Sequence, residues 1–149
     1  MIYINLGFQK NSLTNLQTNF YPALKGIHYI GRFYNQDNYK LFSDLNDLVD
    51  NRREFSDNEY ISLINNFEEY QKKFKKILIC QENWNIPYQR NHKTNKIEIV
   101  PQSIKHEKLL NFLNKLKIDY KIFFIQRNLD QSIPSLFATY LSMSNAKKR

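Results

Sequence analysis

Apolar positions along the chain follow two periods, and the two alternate. Ile2-Tyr3-Ile4-Asn5-Leu6, Lys76-Ile77-Leu78-Ile79-Cys80 and Asp119-Tyr120-Lys121-Ile122-Phe123-Phe124-Ile125-Gln126 are mostly apolar runs of strand length. Such runs suit parallel strands covered on both faces. Gly26-Ile27-His28-Tyr29-Ile30-Gly31-Arg32 is a further short extended piece between glycines. Between these runs apolar residues recur at helical spacing: Leu41, Leu45, Leu48 and Val49, then Tyr60, Ile61, Ile64, Phe67 and Tyr70, then Leu109, Leu110, Phe112, Leu113 and Leu116. The same pattern predicts a first helix from about Ser12 or Leu13 to Phe20, ended by Pro22, and a last one from Ile133 to about Ser142 with Pro134 in its first turn.

Start signals sharpen the boundaries. Ser56 with Glu59 three residues later is a capping box, and that helix should run to about Phe74. Asp37 or Asn38 caps the helix before it, and Ser103 the one over Ile104 to about Leu116. Gln89 to Pro101 is largely polar and reads as an excursion, with a short hairpin around His92–Lys96. Strands alternating with helices predict an α/β fold with a mostly parallel sheet, whose ligands bind beyond the carboxyl ends of the strands. Three polar segments belong there: Gly7–Thr14, Gln81–Asn85 and Arg127–Ser135.

Composition narrows the class. The chain has 149 residues, 42% hydrophobic and 15% aromatic, enough for one domain with a core of its own. No apolar run approaches the roughly 18 residues of a membrane span, and the start has no basic leader or cleavage site, so a cytoplasmic location is expected. Cys80 is the single cysteine, which excludes an internal disulfide and argues against a cysteine-based metal site; no metal is expected. The net charge is +8, but the lysines are dispersed, which suits solvated helix faces better than a nucleic-acid stripe.

The chemistry is concentrated in the loop after the first strand. A strand, then Gly7-Phe8-Gln9-Lys10-Asn11-Ser12-Leu13-Thr14, then a helix has the layout of an anion cradle, in which backbone N–H groups and one ammonium hold a phosphate. The P-loop pattern Gly-Lys-[Ser/Thr] is missing, since Asn11 follows Lys10, so a nucleoside triphosphatase or a kinase is disfavoured. At the end of the last strand run, Arg127 and Ser135 stand eight residues apart, a guanidinium and a hydroxyl suited to a second phosphate.

Together these segments resemble the PAPS-dependent sulfotransferases, most closely the bacterial sulfotransferase-like proteins. That family opens on a strand and a loop similar to Gly-Leu-His-Lys-Thr-Gly-Thr-Thr-Ser-Leu-Gln, with which Gly7, Lys10, Thr14, Leu16 and Gln17 are in register. Arg127-Asn128 and Pro134-Ser135-Leu136 resemble the second signature. Gln81-Glu82 after Cys80 resembles a third, and His28-Tyr29-Ile30-Gly31-Arg32 a phrase after the first helix. The resemblance runs from Ile2 to Leu141, and order and spacing carry it.

It implies a three-layer P-loop NTPase-like α/β fold over residues 1–145, incomplete at its C-terminal end, with 146–149 a frayed basic tail. It implies 3′-phosphoadenosine-5′-phosphosulfate (PAPS) as donor substrate and a hydroxyl or amine acceptor, with a carbohydrate as the expected class. Gly7, Gln9, Lys10, Asn11, Ser12, Leu13 and Thr14 would hold the phosphosulfate, and Arg127 with Ser135 the 3′-phosphate. Lys10 would stabilise the charge on the leaving oxygen, with Glu82 as general base and His28 as the second candidate. The chain departs from the family where Ser12 replaces a glycine, Asn11 and Leu13 replace hydroxyl residues and Gln9 replaces a histidine. A non-catalytic nucleotide- or polyanion-binding descendant and a P-loop-type small-molecule kinase stay as alternatives.

Overall fold

The computed structural model describes residues 1–7, 15–31, 36–90 and 96–125, without the side chains of 36–38 and 88–90. Its frame is a sheet of four strands among the described residues: β1 (Ile2–Asn5), β2 (His28–Gly31), β3 (Ile77–Cys80) and β6 (Tyr120–Phe123), in the order β2-β3-β1-β6. All three pairings are parallel, and the rows His28–Ile77–Ile2–Tyr120 and Gly31–Cys80–Asn5–Phe123 form its two edges. The α/β reading with a mostly parallel sheet therefore holds. Strands β1 and β3 are interior and carry the apolar runs, because a strand covered on both faces has no polar side to display.

Alternation along each strand sorts the side chains into two layers. Ile2, Ile4, Ile30, Ile77 and Ile79 face the helices α1 (Gln36–Val49), α2 (Asp57–Lys73) and α3 (Gln102–Lys115). Leu41, Leu45 and Val49 come from α1, Leu63 and Phe67 from α2, and Leu109, Phe112 and Leu113 from α3. Phe67 meets Phe112 edge-on, with centroids 5.2 Å apart. Tyr29, Leu78 and Cys80 face the other way, onto Tyr21 and Leu16. That side is entered by a turn of π-helix over Leu16–Phe20 and a 3₁₀ turn over Tyr21–Ala23.

Several boundaries follow from local chemistry. The Ser56 hydroxyl accepts from the Glu59 N–H, and the Glu59 carboxylate accepts from the Ser56 N–H, so the capping box starts α2 at Asp57. Helix α3 begins differently from expectation: Pro101 stands at its N-cap, Gln102 leads the helix, and Ser103 lies inside the first turn instead of capping it. Leu110, expected inward, is partly exposed because the inward stripe runs through Lys105, Leu109, Phe112 and Leu113. Helix α1 starts at Gln36, one residue ahead of Asp37. The polar excursion contains an antiparallel pair, β4 (Tyr88–Arg90) with β5 (Ile97–Ile99). The expected helix at 133–142 lies outside the described residues.

Candidate functional site

The candidate loop leaves the sheet from its middle. Strand β1 lies between β3 and β6, and Gly7 stands two residues past the paired level of Asn5 and Cys80. Glu82 stands two residues past the same level on the neighbouring strand. Adjacent strands are about 4.8 Å apart, so the two chain segments emerge side by side at the carboxyl edge. The Gln81 N–H donates to the Asn5 carbonyl at 3.2 Å, which carries the pairing one step beyond the strands. Glu82 then opens a 3₁₀ turn, Glu82–Asn85, capped by the Gln81 side chain through the Asn83 N–H.

Buried polar contacts fix this turn. The Gln81 amide donates to Asn46 Oδ1 of α1 at 2.8 Å. Asn85 donates through Nδ2 to the Leu6 carbonyl, immediately before Gly7. Three side chains from the first turns of α3 close the arrangement: Gln102 donates to the Asn85 carbonyl, Lys105 Nζ to the Asn83 carbonyl at 3.2 Å, and His106 Nε2 meets Asn85 Oδ1 at 2.9 Å. Lys105 is fully buried and pairs with Asp50 at 3.1 Å, and Arg52 reaches Asp50 at 2.8 Å. Burial lowers the pKa of His106 and the Lys105 charge lowers it further, while the Trp84 carbonyl acts in the other direction.

The opposite face of the sheet also carries buried polar contacts. Asn5 donates to the Tyr21 hydroxyl, and Gln17 donates to Cys80 Sγ at 3.2 Å. Among the described residues, Asn5 Oδ1 is buried and meets no hydrogen-bond partner. Burial pushes the Cys80 thiol up to about 12, with the Glu82 charge adding to the shift and Gln17 opposing it. Cys80 is thus a protonated, inert thiol near neutral pH. Burial likewise pushes the Tyr21 phenol up to about 12.

Of the sequence-derived site residues, Gly7 and Glu82 come together at the carboxyl edge. His28 does not. It is the first residue of β2, paired with Ile77 at the amino edge, three residues or roughly 10 Å of strand from Gly31. Its ring stacks on Phe74 at 3.8 Å, and Nε2 meets the Tyr70 hydroxyl at 2.8 Å. Burial lowers its pKa. His28 packs at the amino edge of the sheet, away from the edge that carries Gly7 and Glu82. Gln9, Lys10, Asn11, Ser12, Leu13, Thr14, Arg127 and Ser135 lie outside the described residues.

Sequence reasoning missed Asn85, Lys105 and His106. One signal was available: Lys105 falls four residues before Leu109 and seven before Phe112, on the inward stripe of α3. Among the described residues no cluster of three metal-ligating side chains occurs, and no helix is long and apolar enough to cross a membrane. A scan against protein-family models, a search of curated proteins and a search of solved structures each found no match to this chain.

Proposed function

We propose that this protein transfers a sulfuryl group from PAPS to a hydroxyl or amine acceptor, a carbohydrate being the expected class. The observation that carries the reading is the exit of the Gly7 loop from the central strand of a parallel sheet, beside a carboxylate on the next strand. A parallel α/β sheet binds ligands at that edge, where neighbouring strands connect in different directions. Strand β6 pairs with β1 on its other side, and Arg127 follows it in the sequence.

In this reading the acceptor oxygen or nitrogen attacks sulfur in line with the bond to the 5′-phosphate oxygen. The new bond to sulfur forms as that sulfur–oxygen bond breaks. The acceptor proton passes to Glu82, and 3′,5′-ADP leaves with the electron pair on its 5′-phosphate. Lys10 and the loop N–H groups offset the charge that builds there. Arg127 and Ser135 hold the 3′-phosphate, which distinguishes the donor from ordinary nucleotides.

A ligand that binds only the folded state raises the melting temperature. The expected result is a clear upward shift with 3′,5′-ADP and a much smaller one with ADP. Equal shifts would remove the role of Arg127 and Ser135, and no shift at millimolar 3′,5′-ADP would sink the donor assignment. Binding without sulfuryl transfer to any sugar acceptor would favour a non-catalytic descendant. A steep salt dependence on long nucleic acid would favour the polyanion reading.

A further inference from the structure

We infer that Asn85 is a positioning residue that ties the Glu82 turn to the mouth of the Gly7 loop, with the first turns of α3 holding Asn85 in place. The inference deepens the reading above and rests on it for its functional meaning, but its structural content stands by itself.

The amide of Asn85 has one possible orientation. Its Nδ2 meets the Leu6 carbonyl, which can only accept, so Oδ1 faces His106. His106 Nε2 must therefore carry its hydrogen and donate at 2.9 Å. The backbone of the turn is held from the same helix, by Gln102 at the Asn85 carbonyl and by Lys105 at the Asn83 carbonyl. Gln102, Lys105 and His106 are spaced three and four residues apart, so one helix face reaches the whole turn. The Leu6 carbonyl is the last backbone acceptor before Gly7, and the Leu6 N–H is already bonded to Phe123 O on β6. Asn85 thus supplies the contact from the β3 side at the residue where the loop departs. A buried ion pair is weak evidence for stability, and holding one geometry is its better-attested use. Lys105, ion-paired with Asp50 on one side and hydrogen-bonded to the turn on the other, fits that use.

The test reads the amide of Leu6, bonded to Phe123 O, by hydrogen exchange followed with NMR on the whole chain. Losing one buried hydrogen bond corresponds to about tenfold in a local opening equilibrium. Asn85→Leu and His106→Leu should each speed exchange at Leu6 by about tenfold while Leu63 and Phe67 in α2 are unchanged, and His106→Gln, which keeps a donor, should restore slow exchange. The same variants are titrated with 3′,5′-ADP. Faster Leu6 exchange together with weaker nucleotide binding supports both the positioning role and the nucleotide reading. Faster Leu6 exchange in a chain whose unaltered form binds no nucleotide supports the positioning role and overturns the nucleotide reading. Unchanged Leu6 exchange in the His106→Leu and Asn85→Leu proteins, or a uniform rise across α2 as well, overturns the positioning role. Should Asn85→Leu fail to fold, the His106→Leu and His106→Gln pair decides the matter alone.

Discussion

The Lys105 ammonium stands 3.1 Å from the Asp50 carboxylate, and neither side chain reaches solvent. Arg52 touches the same carboxylate from the other side, at 2.8 Å. The two ends of the pair are therefore unequal. Asp50→Asn strands the buried Lys105 without a counter-charge and leaves Arg52 only its longer contact with Asp47 at 3.8 Å, whereas Lys105→Met leaves Asp50 still paired with Arg52. Breaking a buried pair costs about 3–5 kcal/mol when a charge is stranded. Asp50→Asn should approach that range in urea unfolding, and Lys105→Met should cost distinctly less. Equal losses would mean that Arg52 contributes nothing to the pair.

Gly31 is held to glycine by its neighbour on the same strand. A Cβ at this position would stand 1.9 Å from the Tyr29 hydroxyl oxygen. Tyr29 is buried and packed against Tyr21 at 5.6 Å, so it cannot swing away freely. Gly31→Ala should cost about 1–3 kcal/mol, as other overpacked sites do. In a Tyr29→Ala background the same change should cost far less, and a double-mutant cycle by denaturant unfolding measures the difference.

The capping box of α2 gives a pH signature. Hydrogen bonds from the Ser56 backbone and side chain, and then Arg53, hold the Glu59 carboxyl down to about 2. A depressed carboxylate contributes stability that is full above its unfolded pKa, near 4.5. That contribution is lost as pH falls through the folded value. Thermal unfolding between pH 5 and pH 2 should therefore be less pH-dependent in Glu59→Gln than in the unaltered chain. Ser56→Ala should lower stability by about 1 kcal/mol at neutral pH.

Cys80 should report global unfolding. Its thiol is buried and pushed up to about 12, so the thiolate is scarce at pH 8. Labelling by a thiol reagent in native buffer should proceed only at the rate of opening, and should become immediate in denaturant. Rapid stoichiometric labelling of the native protein would contradict this burial.

Four substitutions test the proposed reaction. Glu82→Gln should lower kcat by roughly 10²–10⁴-fold with little change in 3′,5′-ADP binding, as loss of a general base does. Lys10→Ala should impair transfer more than binding, and Arg127→Ala binding more than transfer. His28→Gln should leave kinetics intact, since His28 sits at the amino edge of the sheet. Steady-state kinetics beside nucleotide titration separate these outcomes.

The period of the apolar residues by itself determined the parallel strands and the three helices α1, α2 and α3, and the Ser56–Glu59 spacing determined the cap of α2. Burial on both faces forces near-continuous apolar strands, and a capping box is a contact between residues three apart. The sequence also placed Gly7 and Glu82 at one edge, because strand direction and chain order are enough to say which ends carry loops. Only the tertiary structure decided the fate of His28, whose position depends on which end of β2 it occupies and on Phe74 and Tyr70 packing against it. The buried net of Asn85, Lys105 and His106 was likewise a tertiary matter. Its partners, Leu6, Asp50 and Asn83, lie far away along the chain, and a polar residue on a core stripe shows its role only when the acceptor it meets is known.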